Sequence, residues 1–449
     1  MNAMTDPARL RLVKFLVLLL VAVLTTPASA TTIERVVSPG GIEAWLVRET
    51  QTPLIAVEFA FRGGNAQDPA GKEGTANLVA AMLDEGAGEL DARAFQDRMQ
   101  RLAMQMSFSV SRDTFSGSFR TLTANRDAAF DMLRLALTQP RFEQAELDRV
   151  RAAVVAGLRR ELTQPNTLAA RAFSATVFPN HPYGRPPNGS LDTVAGITRD
   201  DLAAYHRRIL ARDELRVAVV GDIDPSTLAS LLDRVFGDLP PRGARFPVQD
   251  IAAVGAGTWR LVDVDGPQTV IQFGLPGLKR RDPDFIAAFV MNHILGGGTF
   301  TSRLWTEVRE RRGLTYGIST GLSPFDHAGL LVGATSTRND RVAETLSIID
   351  AELRRMAAEG PSTEELAKAK SFLIGSFLLR FDTSARLAQQ LLAIQLDDLG
   401  IDWLERRNRE IERVTMDDVR RVARRLLTPD LIVVMAGRPA GVTERRPGG

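Results

Sequence analysis

Thr198-Arg199-Asp200-Asp201-Leu202, followed by the run Leu215-Arg216-Val217-Ala218-Val219-Val220-Gly221, is the stretch that decides the fold, because the chain writes it twice. From position 198 to position 415, 217 residues on, stands Thr415-Met416-Asp417-Asp418-Val419, followed by Leu431-Ile432-Val433-Val434-Met435-Ala436-Gly437. Each copy opens as a helix start: a threonine at the N-cap can accept a backbone N–H, and aspartates in the first turn face the positive end of the helix dipole. Each then continues into a β-branched run ending in glycine, the pattern of a short buried strand. Working outward, Asn125-Arg126-Asp127 is matched by Arg338-Asn339-Asp340. Pro140 with Ala145-Glu146-Leu147 is matched by Pro361 with Glu364-Glu365-Leu366. A period this long means one fold written twice.

Each half reads as strands, a helix, a hairpin, several helices and a last strand. In the first half, residues 41–47 and 55–61 read as strands and 74–85 as a helix. Residues 105–121 alternate as a hairpin, and helices follow over 125–137, 143–162 and 166–177. The fold class is therefore α+β: two homologous domains related by internal duplication, each an antiparallel-rich sheet packed with helices. Residues 31–240 form the first domain and 258–440 the second. Residues 241–257 are a linker rich in turn formers, and 441–449 are a tail expected to lack order. A length of 449 residues suits two such domains, and 44% hydrophobic with 24% charged residues is a globular composition.

The first thirty residues read separately. Arg9, Arg11 and Lys14 form a positive region, Phe15 to Leu24 is an unbroken apolar run, and Ala28-Ser29-Ala30 is a small-residue cleavage pattern. The run is shorter than the ~20 residues of a membrane span. We expect a signal peptide cleaved after Ala30 and a periplasmic or otherwise secreted product without stable membrane insertion; an uncleaved anchor is the alternative. Removing three basic residues and one acidic residue from totals of 56 and 54 leaves 53 of each. A formally neutral chain gives no electrostatic ground for a nucleic-acid partner. With no cysteine, disulfides and thiolate metal sites are excluded.

Several segments resemble peptidase family M16, the family of pitrilysin, insulin-degrading enzyme and the mitochondrial processing peptidase. In the first half these are Phe61-Arg62-Gly63-Gly64 with Glu73-Gly74, and Asn180-His181-Pro182-Tyr183-Gly184 running on to Gly189. In the second they are Leu295-Gly296-Gly297-Gly298, Ser302-Arg303-Leu304 and Arg309-Glu310-Arg311-Arg312-Gly313-Leu314-Thr315-Tyr316, and the resemblance spans nearly all of residues 33–440. It implies two M16-type domains.

Family enzymes carry His-x-x-Glu-His on the first long helix. Two histidines four apart share one helical face and one zinc, and the glutamate serves as general base on the metal-bound water. Here the resemblance sets Asn77 at the first histidine, Ala80 at the glutamate and Ala81 at the second histidine. The family's spacing to its distal glutamate ligand reaches Gly157. No metal is expected in this chain. The four histidines, His181, His206, His293 and His327, are scattered: His181 reads as a structural loop residue and His293, beside Asn292, as a core histidine. Asp84 and Glu85 read as a solvated helix end.

The second-half segment keeps its chemistry. Ser302 to Arg312 reads as a helix closed by Gly313 in the left-handed conformation, with Leu314 to Thr320 continuing as a strand. That turn brings Arg309 and Tyr316 together. In the resembled family such a pair reaches the zinc-bearing domain, bonds the substrate's main chain and helps stabilise the oxyanion, work suited to a fixed guanidinium and phenol. The bland alternative pairs Arg309 with Glu307 and Glu310. Gly296–Gly298 lacks the ending of a phosphate loop and reads as a tight turn between helices, with peptide contact as the family's alternative.

The resemblance thus implies a non-catalytic, substrate-binding subunit of a heterodimeric secreted zinc metallopeptidase. It would lend Arg309 and Tyr316 to a partner that holds the zinc and carries the full motif, and peptides would be the substrates. A stand-alone peptide-binding or scaffold protein is the second reading, and a zinc peptidase with substituted ligands is the third.

Overall fold

The structure is a computed structural model that describes residues 32–377, 379 and 381–446. The expected leader and its cleavage point lie outside the described residues.

The first half contains β1 (Glu34–Val37), β2 (Glu43–Arg48), β3 (Leu54–Arg62), α1 (Thr75–Met82), α2 (Ala92–Arg101) and the hairpin β4 (Gln105–Val110) and β5 (Thr114–Leu122). Then come α3 (Arg126–Thr138), α4 (Gln144–Glu161), α5 (Pro165–Val177), α6 (Leu191–Ala195), α7 (Arg199–Ile209), β6 (Leu215–Gly221) and α8 (Pro225–Phe236). The second half contains β7 (Trp259–Val262), β8 (Gln268–Pro276), α9 (Phe285–Asn292), β9 (Ile318–Pro324) and β10 (Gly329–Arg338). It ends with α10 (Val342–Glu359), α11 (Thr363–Gly375), α12 (Ser384–Leu396), α13 (Trp403–Arg413), α14 (Met416–Leu426) and β11 (Ile432–Ala436).

The sheets run β1-β2-β6-β3-β5-β4 and β7-β11-β8-β10-β9. Setting β1 aside, they have the same order, and each has a single parallel pair, β2 with β6 and β7 with β11. The repeated helix starts fold alike. The Thr198 hydroxyl accepts the Asp201 N–H while the Asp201 carboxylate accepts that of Thr198, and Thr415 and Asp418 reproduce the exchange.

One face of each sheet is covered by its own helices, and the other by a helix borrowed from the opposite half. Ala169, Phe173 and Val177 of α5 lie in one core with Val270, Leu330, Ile432 and Val434 of the second sheet. Ala388, Leu391, Leu392 and Ile394 of α12 lie in one core with Trp45, Val47, Ala60, Ala218 and Val220 of the first. The sequence repeats are therefore not closed cores. Each half leaves an apolar sheet face that only the other can bury.

Residues 241–257 lie against both halves: Phe246 N–H donates to Gln67 Oε1 at 2.7 Å, Val254 N–H to the Val177 carbonyl at 3.0 Å and Ile251 N–H to the His327 carbonyl at 2.9 Å. The start of the tail is also ordered, contrary to expectation. Arg445 forms a β-bridge with Trp259 and stacks its guanidinium 3.8 Å from that ring's centre, so a single cation–π contact and two backbone bonds hold it. At the junction of the halves, the buried Tyr183 hydroxyl donates to Asp113 Oδ1 at 2.5 Å and accepts the His327 N–H at 3.1 Å.

Candidate functional site

The helix that the resemblance sets at the family's metal helix is α1. Gly74 caps it at φ +102°, where an added Cβ would meet Val194 and the Asn188 carbonyl, so a glycine is needed. The capping acceptor comes from Asp68, whose carboxylate oxygens take the Gly74 and Ala76 N–H groups at 2.8 Å each. Burial pushes the Asp68 carboxyl up to about 7, although those two N–H donors oppose the shift.

On α1, Asn77 is half-buried, Ala80 is buried and Ala81 is exposed. Asn77 Nδ2 donates to the Pro187 carbonyl at 2.7 Å and to Asn188 Oδ1 at 3.3 Å. Asn188 Nδ2 in turn donates to Glu161 Oε1 at 3.0 Å, and Arg171 Nη2 pairs with Glu161 Oε2 at 2.7 Å. A chain of neutral amides and one ion pair thus ties α1 to the end of α4. Gly157 is on α4 one turn before Glu161, with open space where a side chain would project. Among the described residues no group of three or more His, Asp or Glu side chains could hold a metal. The residues present do not fit zinc.

Two expectations nearby change. Asp84 and Glu85 are not a solvated helix end: both are half-buried, burial raises the Asp84 carboxyl, and Glu85 pairs with Arg149 at 2.5 Å. His293 is half-buried rather than core, stacked on Phe372 with centroids 5.1 Å apart, and burial lowers its pKa. His181 has the structural part expected of it. Its Nδ1 accepts the Tyr183 N–H at 3.1 Å, so Nε2 carries the proton and donates to the Gln249 carbonyl at 3.0 Å.

The second-half segment departs from a simple helix and strand. His293–Gly297 and Trp305–Glu310 wind as π-helical turns, a geometry frequent at functional sites. The glycines answer to close packing: a Cβ on Gly296 would lie 2.5 Å from Thr320 Oγ1, and one on Gly297 would lie 2.6 Å from Asn292 Nδ2. Gly313 closes the second turn at φ +62°, its N–H donating to the Arg309 carbonyl at 2.9 Å. The strand then begins at Ile318, not Leu314. Threonine hydroxyls hold residues 314–317 in place of a ladder: Thr337 donates to the Leu314 carbonyl at 2.6 Å, and Thr335 donates to the Gly317 carbonyl at 2.9 Å with Thr315 Oγ1 2.8 Å from it. With its neighbours tied inward, Tyr316 points outward and is 85% exposed.

Arg309 and Tyr316 do meet. Arg309 Nε donates to the Tyr316 carbonyl at 3.1 Å, and its guanidinium lies 4.5 Å from the centre of the Trp305 ring. The alternative partners are not used: Glu307 is taken by Arg311 and Arg312 at 2.7 Å each, and no ion pair joins Glu310 to Arg309. No hydrogen bond among the described residues joins this pair to Asn77, Ala80, Ala81 or Gly157. Sequence reasoning missed Trp305, over whose ring the guanidinium lies. Its spacing of four from Arg309 on a helix was the available signal.

Two family models match the chain. One described as insulinase (peptidase family M16) matches residues 45–189, and one described as peptidase M16 inactive domain matches residues 196–373. An uncharacterized zinc protease of Streptomyces coelicolor is 28% identical over 90% of this chain and 89% of the relative. A non-peptidase homolog from Helicobacter pylori is 25% identical over 83% of this chain and 87% of that one. A crystal structure of a peptidase M16 inactive domain from Pseudomonas fluorescens superposes with a TM-score of 0.85 at 27% identity, covering 92% of this chain and 99% of that one.

Proposed function

The chain belongs to peptidase family M16 as an inactive homologue, and from that membership we propose that it is the non-catalytic, substrate-binding subunit of a heterodimeric, exported zinc metallopeptidase. The partner is an M16 subunit with an intact His-x-x-Glu-His motif that holds the zinc, and this chain supplies Arg309 and Tyr316 to the shared peptide-binding cavity.

One observation carries the reading. Asn77, Ala80, Ala81 and Gly157 stand where the resemblance sets the zinc ligands and base, while half-buried Arg309 stays bonded to the exposed Tyr316 and makes no ion pair with a carboxylate among the described residues. Export rests on the leader pattern of residues 1–30, and sequencing the extracytoplasmic protein is expected to begin at Thr31.

The test is co-expression with a homologue encoded in the same genome that carries the zinc motif. The two chains are expected to co-purify and to hydrolyse peptides together, while this chain alone binds no stoichiometric zinc and hydrolyses none. A tightly held zinc and turnover in the isolated chain would overturn the proposal. A partner fully active without this chain would return it to a scaffold.

A further inference from the structure

Resting on the peptide-site reading above, we infer that the Arg309 surface selects peptides in which a side-chain carboxylate neighbours an aromatic residue. Arg309 is fixed from two sides, by its Nε bond to the Tyr316 carbonyl at 3.1 Å and by the Trp305 ring 4.5 Å away. Both attachments leave the two Nη groups, which have no hydrogen-bond or ion-pair partner among the described residues. The contrast with neighbouring arginines is informative. Arg303 pairs with Glu365 at 2.7 Å, and Arg311 and Arg312 share Glu307. Only Arg309 in this group is held in place and left without a counter-charge. A planar pair of N–H donors matches a carboxylate in a two-point contact that a neutral carbonyl cannot reproduce.

The apolar half of the ligand follows from what adjoins the guanidinium. Phe300 is 65% exposed, and its ring meets Trp305 edge-to-face with centroids 4.7 Å apart. Trp305 therefore touches both Arg309 and Phe300, and its own ring, buried at 8% exposure, links the cation to the exposed phenylalanine. Tyr316 stands at the Arg309 end. Exposed phenylalanine beside a fixed cation is an arrangement in which an aromatic side chain gains burial while the adjacent carboxylate gains charge pairing.

The experiment is fluorescence anisotropy of the mature chain with three capped octapeptides, with an Asp–Phe, an Asn–Phe or an Asp–Ala pair at the centre of an otherwise Gly/Ser sequence. The Asp–Phe peptide is expected to bind saturably, and the Asn–Phe and Asp–Ala peptides each about tenfold or more weakly. Arg309→Ala should abolish the preference for Asp over Asn, while Phe300→Ser abolishes that for Phe over Ala and leaves the charge preference. Arg309→Lys, which keeps the charge and loses the planar fork, is expected to recover only part of the binding. Equal binding of all three peptides that is still lost in Arg309→Ala overturns the inference and leaves the peptide site standing. No saturable binding of any of them overturns the inference and removes peptide capture by the isolated chain. The partner-turnover experiment then decides the reading beneath it.

Discussion

Asn77 on α1 donates through Nδ2 to the Pro187 carbonyl at 2.7 Å. The resemblance sets Asn77 where family enzymes place the first zinc ligand, and here its amide ties α1 to the loop at Pro187. The link continues through Asn188 and Glu161 to Arg171.

Asn77→Ala is expected to destabilise the fold by about 1 kcal/mol, because it leaves the Pro187 carbonyl with only the long 3.4 Å bond from Asn65 Nδ2 and removes the donor to Asn188 Oδ1. Peptide binding at Arg309 should be unchanged. Urea unfolding of the two proteins measures the loss, and an unaltered midpoint would show that the chain of amides holds nothing.

The exchanged helices make a second prediction. Leu391 of α12 is fully buried against the first sheet although it belongs to the second half. Leu391→Ala should cost about 2–5 kcal/mol, as a large-to-small change in a core does. Because that core lies between the halves, one cooperative transition is expected to become broader or to split. A single transition of unchanged steepness, merely shifted, would mean that the halves do not unfold separately when α12 is loosened.

The duplication was legible because its signals are local. Thr198 and Thr415 announce their helices by side chains that cap them, and β6 and β11 by an apolar run ending in glycine. The helix exchange was not. Ala169, Phe173 and Val177 form a stripe at helical spacing, but a stripe records that a face is buried and not which sheet buries it. The site shows the same division. The meeting of Arg309 and Tyr316 followed from a helix closed by Gly313, a local turn. The late start of β9 did not, because it depends on Thr335 and Thr337 of a neighbouring strand. Likewise Asn77 reads in sequence only as a lost ligand; its partner is 110 positions away.

Asp68 makes stability depend on pH in the direction opposite to most carboxylates. Burial pushes its carboxyl up to about 7 in the fold, against an ordinary 3.8. Between roughly pH 4 and pH 7 the native chain keeps a proton that the unfolded chain has lost, so this group's contribution to stability falls as pH rises through that window. Below it both states are protonated, and above it the full cost of a buried charge is present. Asp68→Asn cannot ionise, and its amide offers one acceptor oxygen for two N–H groups, Gly74 and Ala76. Wild type is expected to exceed the variant in stability by more at about pH 5 than at about pH 8. Equal differences at the two pH values would place the Asp68 pKa outside this window.

Tyr316 supplies the sharpest test of the subunit proposal, because its hydroxyl contributes nothing visible to the fold. The side chain is 85% exposed, and the bond from Arg309 goes to its backbone carbonyl, which phenylalanine also possesses. Tyr316→Phe should therefore leave stability, Arg309 placement and assembly with the partner unaltered. If the hydroxyl donates to a developing oxyanion in the partner's cavity, turnover should fall by about 10²–10³, the usual effect of losing one such donor. The loss should lie in kcat more than in KM, since the charge develops only in the transition state. The measurement is steady-state peptide hydrolysis by the co-purified pair, with assembly followed by gel filtration. Unchanged kcat would remove Tyr316 from the chemistry and leave Arg309 as a binding residue alone; a rise in KM with kcat constant would assign the hydroxyl to substrate capture.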